Sequence, residues 1–155
     1  MKQILIALDY EPSAQTIAET GMELAKAMKA EVTLLHVVTN TAYYSSLDYS
    51  PIMGFSGFGG ANIQETFIEI KKLSEDFLDK SKEHLGDGSI NTIVKEGESA
   101  DEILNTAKEI HADIIVMGSH SRSGLDKILM GSVTEKVLHN TTIPLFIIPT
   151  KKHKK

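Results

Sequence analysis

The residues that could do chemistry together lie between Asp113 and Leu138. Ile114 to Met117 is a short apolar run with β-branched residues, bounded by Asp113 and Gly118, which is how a buried strand reads. Three glycines follow, Gly118, Gly124 and Gly131, within two polar stretches. Helical spacing returns at Val133 to Leu138, and Ser132 is placed to start that helix. A strand, a small-residue loop and a helix amino terminus together make an anion site. Backbone N–H groups point outward there, and the helix dipole favours negative charge. Glycine lets the backbone approach a phosphate with no Cβ in the way.

Such a loop needs a rigid frame, and the rest of the chain supplies one. Ile4 to Leu8, within a strand from Gln3 to Asp9, is a continuous apolar run and predicts a strand buried on both faces of a parallel sheet. The charge of Asp9 belongs at the carboxyl end of that strand; alternatively it only caps the next helix or starts a turn. Pro12 and Ser13 open a helix whose inner stripe is Ala14, Ile17, Ala18, Gly21, Ala25 and Met28. Val32 to Val38 is a second strand. His36 within it reads best as a strand-end histidine bonded to backbone, because no second histidine or acid sits nearby at a metal-ligand spacing. Thr39 to Asn62 is irregular, rich in glycine and aromatics, and is expected as a long flexible loop, either a mobile flap near a ligand or an oligomer contact or plain disorder.

Ile63 to Leu85 is an amphipathic helix with Ile63, Phe67, Ile70, Ser74, Phe77, Ser81 and Leu85 on one face. Gly86 to Ser89 ends it. Ile90 to Lys95 alternates like a strand near a sheet edge. Ser99-Ala-Asp-Glu102 has the form of a capping box and starts a helix reaching Ile110. Ile143 to Ile148 is a last strand, and Pro144 and Pro149 put it at an edge. The alternation of strand and helix predicts an α/β fold, a parallel sheet with helices on both faces. In such open sheets ligands bind at the carboxyl ends of strands where strand order reverses. Asp9, Val37 and Gly118 all fall at predicted carboxyl ends.

Composition narrows the function. The 155 residues are enough for one domain with a real core, expected at 1–150 with a basic tail at 151–155. A net charge of −5 argues against a general nucleic-acid binder. With no cysteine there are neither disulfides nor thiolate metal sites. The first apolar run is too short for a signal peptide, and no stretch reaches the length of a membrane helix. A cytoplasmic location, with no membrane partner, is the expectation.

Gly118, Ser121 and Gly131-Ser132 also carry a family resemblance. The universal stress proteins have Gly, two residues, Gly, nine residues, then Gly-Ser or Gly-Thr. This chain resembles that pattern with Ser121 at the second glycine. Met117 to His120, Leu129 to Glu135, Asp9 with Ser13, and Leu34 to Val37 are similar to the family as well. The resemblance implies an open five-stranded parallel sheet, Rossmann-like (adenine nucleotide alpha hydrolase-like), of strand order 3-2-1-4-5.

Resemblance to the ATP-binding branch also implies a ligand, ATP or AMP with Mg²⁺, and a set of roles. Asp9 would bond the ribose or help hold Mg²⁺, and the backbone of Val37 would recognise the adenine edge. Met117 and Gly118 would line base and ribose. Gly131, Ser132 and Val133 would present N–H groups to the phosphates, joined by the Ser132 hydroxyl. Ala7, Leu8, His120, Ser121 and Arg122 complete the implied set. Arg122 and Lys127 are either phosphate partners or solvent-facing charges.

Rival chemistries lack their residues. There is no Gly-Lys-Ser or Gly-Lys-Thr of a P-loop. The third strand ends Val94-Lys95-Glu96, without a receiver domain's Asp. Asp9-Tyr10-Glu11-Pro12 replaces a flavodoxin's hydroxyl-rich loop, and neither the Ser-Gly-Gly-x-Asp-Ser pattern of adenylating enzymes nor a nucleophile elbow is present. The expected function is a nucleotide-binding stress or signalling module rather than a fast enzyme. A member acting through protein partners and a slow ATPase are the alternatives. The apolar strand 143–148, left at an edge, is expected to pair with its copy in a homodimer.

Overall fold

The computed structural model describes residues 1–39, 67–119 and 130–150. The expected flap lies outside the described residues except for Thr39, as do the tail at 151–155 and His120, Ser121, Arg122 and Lys127. The elements run β1 (Gln3–Ala7), α1 (Ala14–Met28), β2 (Glu31–Val38), α2 (Phe67–Leu85), β3 (Asn91–Glu96), α3 (Ser99–Glu109), β4 (Ile114–Gly118), α4 (Ser132–Asn140) and β5 (Leu145–Ile148). The five strands form one sheet of order β3-β2-β1-β4-β5, every pair parallel. Ile4 sits in the middle of it, opposite Val32 on one side and Ile114 on the other.

The alternating residues of each strand feed two cores. Ile4, Ile6 and Leu8 face α1 and α2, where they pack with Ala18, Ile70, Phe77 and Leu78. Leu5, Leu35 and Val37 face α3 and α4, against Ala100, Ile103, Ala107 and Val137. Both faces of β1 are therefore sealed, which is why its sequence is apolar without alternation. β3 and β5 are the edges, as their sequences predict. Helix α1 approaches the sheet closely at Gly21, where a Cβ would lie 2.7 Å from Ile6 Cδ1. Its buried stripe includes Met22 as well as the expected residues, whereas Met28 is half-buried at the margin.

One cap differs from the sequence expectation. Ser99 does not cap α3; it is the first helical residue. Glu98 is the N-cap, and its carboxylate accepts from the N–H groups of Asp101 at 2.8 Å and Ala100 at 3.3 Å. The same carboxylate meets Lys136 of α4 at 3.2 Å, so a contact between helices favours the longer acid over the serine. Helix α2 is described from Phe67; Ile63 lies outside the described residues.

Candidate functional site

Strand order reverses between β1 and β4, because β1 continues through α1 towards β2 while β4 continues through α4 to β5. Helices α1 and α4 leave the carboxyl ends of adjacent strands on opposite faces of the sheet. A crevice opens between them, lined by Ala7, Asp9, Glu11, Ser13, Ile17, Ile103, Met117, Gly118, Val133 and Thr134. Of the residues expected at the site, Ala7, Asp9, Met117, Gly118 and Val133 meet there. Leu8 instead turns its side chain into the α1–α2 core. Val37 is buried in the α3–α4 core and is not part of the crevice wall. Gly131 and Ser132 stand at the start of α4, adjoining Val133 but not in the wall itself.

Hydrogen bonds fix the floor of this crevice. The Thr134 hydroxyl donates to the Gly118 carbonyl at 2.8 Å and ties the first turn of α4 to the end of β4. Gly131 N–H donates to Ser119 O at 2.7 Å, and Ser119 N–H to Ile148 O at 2.9 Å. Thr150 N–H donates in turn to Ser119 Oγ at 3.0 Å. The Gly131 N–H is thus engaged within the chain. Ser132, Val133 and Thr134 occupy the first turn, whose N–H groups have no partner inside a helix. They carry the positive end of the α4 dipole. Gly118 has a packing reason to lack a side chain: a Cβ there would lie 2.6 Å from Ile17 Cδ1 and 2.9 Å from Thr150 Cγ2.

The crevice has three chemical regions. Ala7, Ile17, Ile103, Met117 and Val133 give an apolar wall. Asp9 and Glu11 bring carboxylates, and Ser13 and Thr134 bring hydroxyls. Glu11, Ile103 and Thr134 were not singled out from the sequence. Ile103 reads only as one apolar position of its helix, and Thr134 as a polar residue in a helix's first turn. Among the described residues no three of His, Cys, Asp or Glu cluster as a metal cage. Asp9 and Glu11 are nevertheless hard oxygen donors of the kind that a Mg²⁺ carried on phosphates takes one or two of.

His36 lies on the α1–α2 face of the sheet, against Phe77 of α2. It is 2 % exposed, and its Nδ1 is 2.7 Å from the Leu8 carbonyl, to which it donates. Burial pulls its pKa down from 6.5 to about 4, against the opposing effect of the Leu8 carbonyl. The imidazole is neutral at pH 7 and bonded to backbone, as its position in the sequence suggests.

The model of the universal stress protein family matches residues 1–149. The chain belongs to that family. It is 34 % identical over 152 residues to universal stress protein YxiE of Bacillus subtilis, covering 94 % of this chain and 97 % of that one. It is 33 % identical over 157 residues to universal stress protein MJ0577 of Methanocaldococcus jannaschii, covering 97 % of this chain and 96 % of that one. The solved structure of MJ0577 superposes with a TM-score of 0.73 at 28 % identity, covering 98 % of each chain. A universal stress protein in complex with cAMP shares the fold, with a TM-score of 0.63 at 18 % identity over 97 % of this chain and 98 % of that one. This universal stress protein has the Rossmann-like sheet of those relatives. Among its described residues no helix is long and apolar enough to cross a membrane.

Proposed function

We propose that this protein binds an adenine nucleotide, ATP or AMP, in the crevice between β1 and β4, with Mg²⁺ carried on the phosphates, and acts as a nucleotide-responsive cytoplasmic module. The observation that carries this reading is the meeting of the α4 amino terminus with Asp9 across Gly118, at the point where strand order reverses. Phosphate is drawn to the N–H groups of Ser132 and Val133, an adenine to the apolar wall, and ribose hydroxyls to the Asp9 carboxylate. His120, Ser121 and Arg122, which follow β4 in the sequence, are further nucleotide-binding residues in this reading, on the family resemblance. That a family member of the same fold was solved with cAMP supports an adenine nucleotide as the class of ligand. The reading also includes a homodimer through residues 143–148.

Titration calorimetry with ATP, AMP and cAMP, each with and without Mg²⁺, tests it. Saturable heat with at least one of them is expected, with the phosphate-rich ligands depending on Mg²⁺. Neither heat nor a thermal shift at millimolar nucleotide refutes the reading and favours a module that works through protein partners. Slow release of inorganic phosphate from bound ATP would add a weak hydrolase to the description.

A further inference from the structure

Asp9 lies in the crevice wall, yet the residues on either side of it are buried in the α1–α2 core. Leu8 is 2 % exposed and Tyr10 is 1 % exposed. The β1–β2 ladder ends with Ala7 opposite Leu35, extended by one bond of 2.8 Å from Leu8 N–H to Leu35 O. Beyond that point side chains take over. The His36 imidazole donates to the Leu8 carbonyl at 2.7 Å. The Phe77 ring of α2, itself fully buried, meets His36 edge-on with centroids 5.7 Å apart and Tyr10 edge-on at 5.4 Å. A buried chain from the Leu8 carbonyl through His36 and Phe77 to Tyr10 therefore links the two residues that flank Asp9. It grips the residue before the carboxylate and the residue after it.

We propose that His36 and Phe77 are positioning residues that hold Asp9 towards the ligand crevice. This rests on the reading that the crevice takes an adenine nucleotide and that Asp9 touches it. Anchoring the main chain on both sides of Asp9 fixes the point from which its carboxylate reaches the crevice, whatever contacts that carboxylate also makes. A histidine suits this place because Nδ1 is a donor set close to the main chain, while its ring fills an apolar core. Leucine fills the space without the donor. Asparagine keeps a donor near the Nδ1 position. Glutamine carries its donor farther out, near the place of Nε2.

The test combines affinity with amide exchange. Mg²⁺–ATP binding is measured for the parent, Asp9→Ala, His36→Leu, His36→Asn and the Asp9→Ala/His36→Leu double variant, each at a temperature where circular dichroism shows it folded. His36→Leu is expected to weaken binding by up to roughly ten- to a hundredfold, the worth of the hydrogen bond that a misdirected Asp9 carboxylate would lose to the ligand. His36→Asn should recover most of that loss. In the Asp9→Ala background His36→Leu should cost nothing further, because there is no carboxylate left to aim. Losses that simply multiply in the double variant overturn the proposal, since His36 would then act on the ligand by another route.

If His36→Leu does not fold, Phe77→Leu takes its place, with a smaller loss and the same non-additivity expected. Hydrogen exchange needs no ligand. The amides of Asp9 and Tyr10 should exchange faster in His36→Leu, while the β4 amides remain as in the parent. A parent that binds no nucleotide defeats the functional reading alone. Unchanged exchange at residues 9 and 10 defeats the clamp alone.

Discussion

Adding one methyl group at Gly118 separates packing from ligand binding at the centre of the site. The Cβ of Gly118→Ala would lie 2.6 Å from Ile17 Cδ1 and 2.9 Å from Thr150 Cγ2, both far inside the ordinary contact distance. Ile17 is 4 % exposed and packed in the α1–α2 core, so its terminal methyl moves only by displacing neighbours. Overpacking of this kind costs about 1–3 kcal/mol. Ile17→Val removes the Cδ1 atom that collides and alone costs about 0.5–1.5 kcal/mol. In the double variant the alanine methyl takes up the space that Cδ1 leaves. The two changes together should cost less than their sum, with a coupling of about 1 kcal/mol or more. Urea denaturation of the four proteins without nucleotide measures this, provided the slopes agree. Additive losses, or a Gly118→Ala variant as stable as the parent, would refute the packing account of this glycine.

Acid should weaken the fold through His36. The unfolded histidine takes up a proton below pH 6.5 but the folded one only below about pH 4, so this group's contribution is complete above pH 6.5 and is lost as pH falls through that window. The loss approaches roughly 3 kcal/mol at its end; a His36→Asn variant with an equally steep fall between pH 6.5 and 4 would contradict it. Ser132→Ala and Gly131→Val should each weaken ATP binding, the first by roughly ten- to a hundredfold, and calorimetry giving the parent's affinity for both folded variants would remove α4 from the phosphate site. Ser121→Gly should bind nucleotide more tightly if the serine crowds the loop, and weaker binding would show instead that its hydroxyl takes part. Light scattering should report about twice the chain mass. Phe146→Lys should give a folded monomer, because Phe146 is 37 % exposed on β5; a parent monomeric at high micromolar concentration would end the idea.

The strands were legible in the sequence because burial on two faces leaves an unbroken apolar run, as in Ile4 to Leu8. Their order was not legible from periodicity, since any two buried parallel strands look alike along the chain; only family resemblance supplied it. His36 was read correctly because a lone histidine in an apolar strand has little to bond except backbone. The capping of α3 by Glu98 was hidden because Lys136, 38 residues further on, helps hold that carboxylate in place. Glu11, Ile103 and Thr134 reach the crevice through the turn after β1 and two helices on one face of the sheet, and no local spacing announces such a meeting. Gly118 stood out as a loop glycine, but Ile17 and Thr150, which need its missing side chain, come from opposite ends of the chain.

The central place of β1 has a consequence for how this protein is made. Its two neighbours arrive at very different times. β2 follows within a few dozen residues, but Ile114, the partner of Ile4 in β4, is 110 positions later. At about 5–20 residues per second a ribosome needs roughly 5–20 s to cover that distance. Throughout that interval a strand whose Ile4, Leu5 and Ile6 end fully buried has one open edge and one uncovered face. An early sheet of β1, β2 and β3 under α1 and α2 is thus the natural nascent species, and its exposed β1 edge is the surface on which a chaperone would act before β4 emerges.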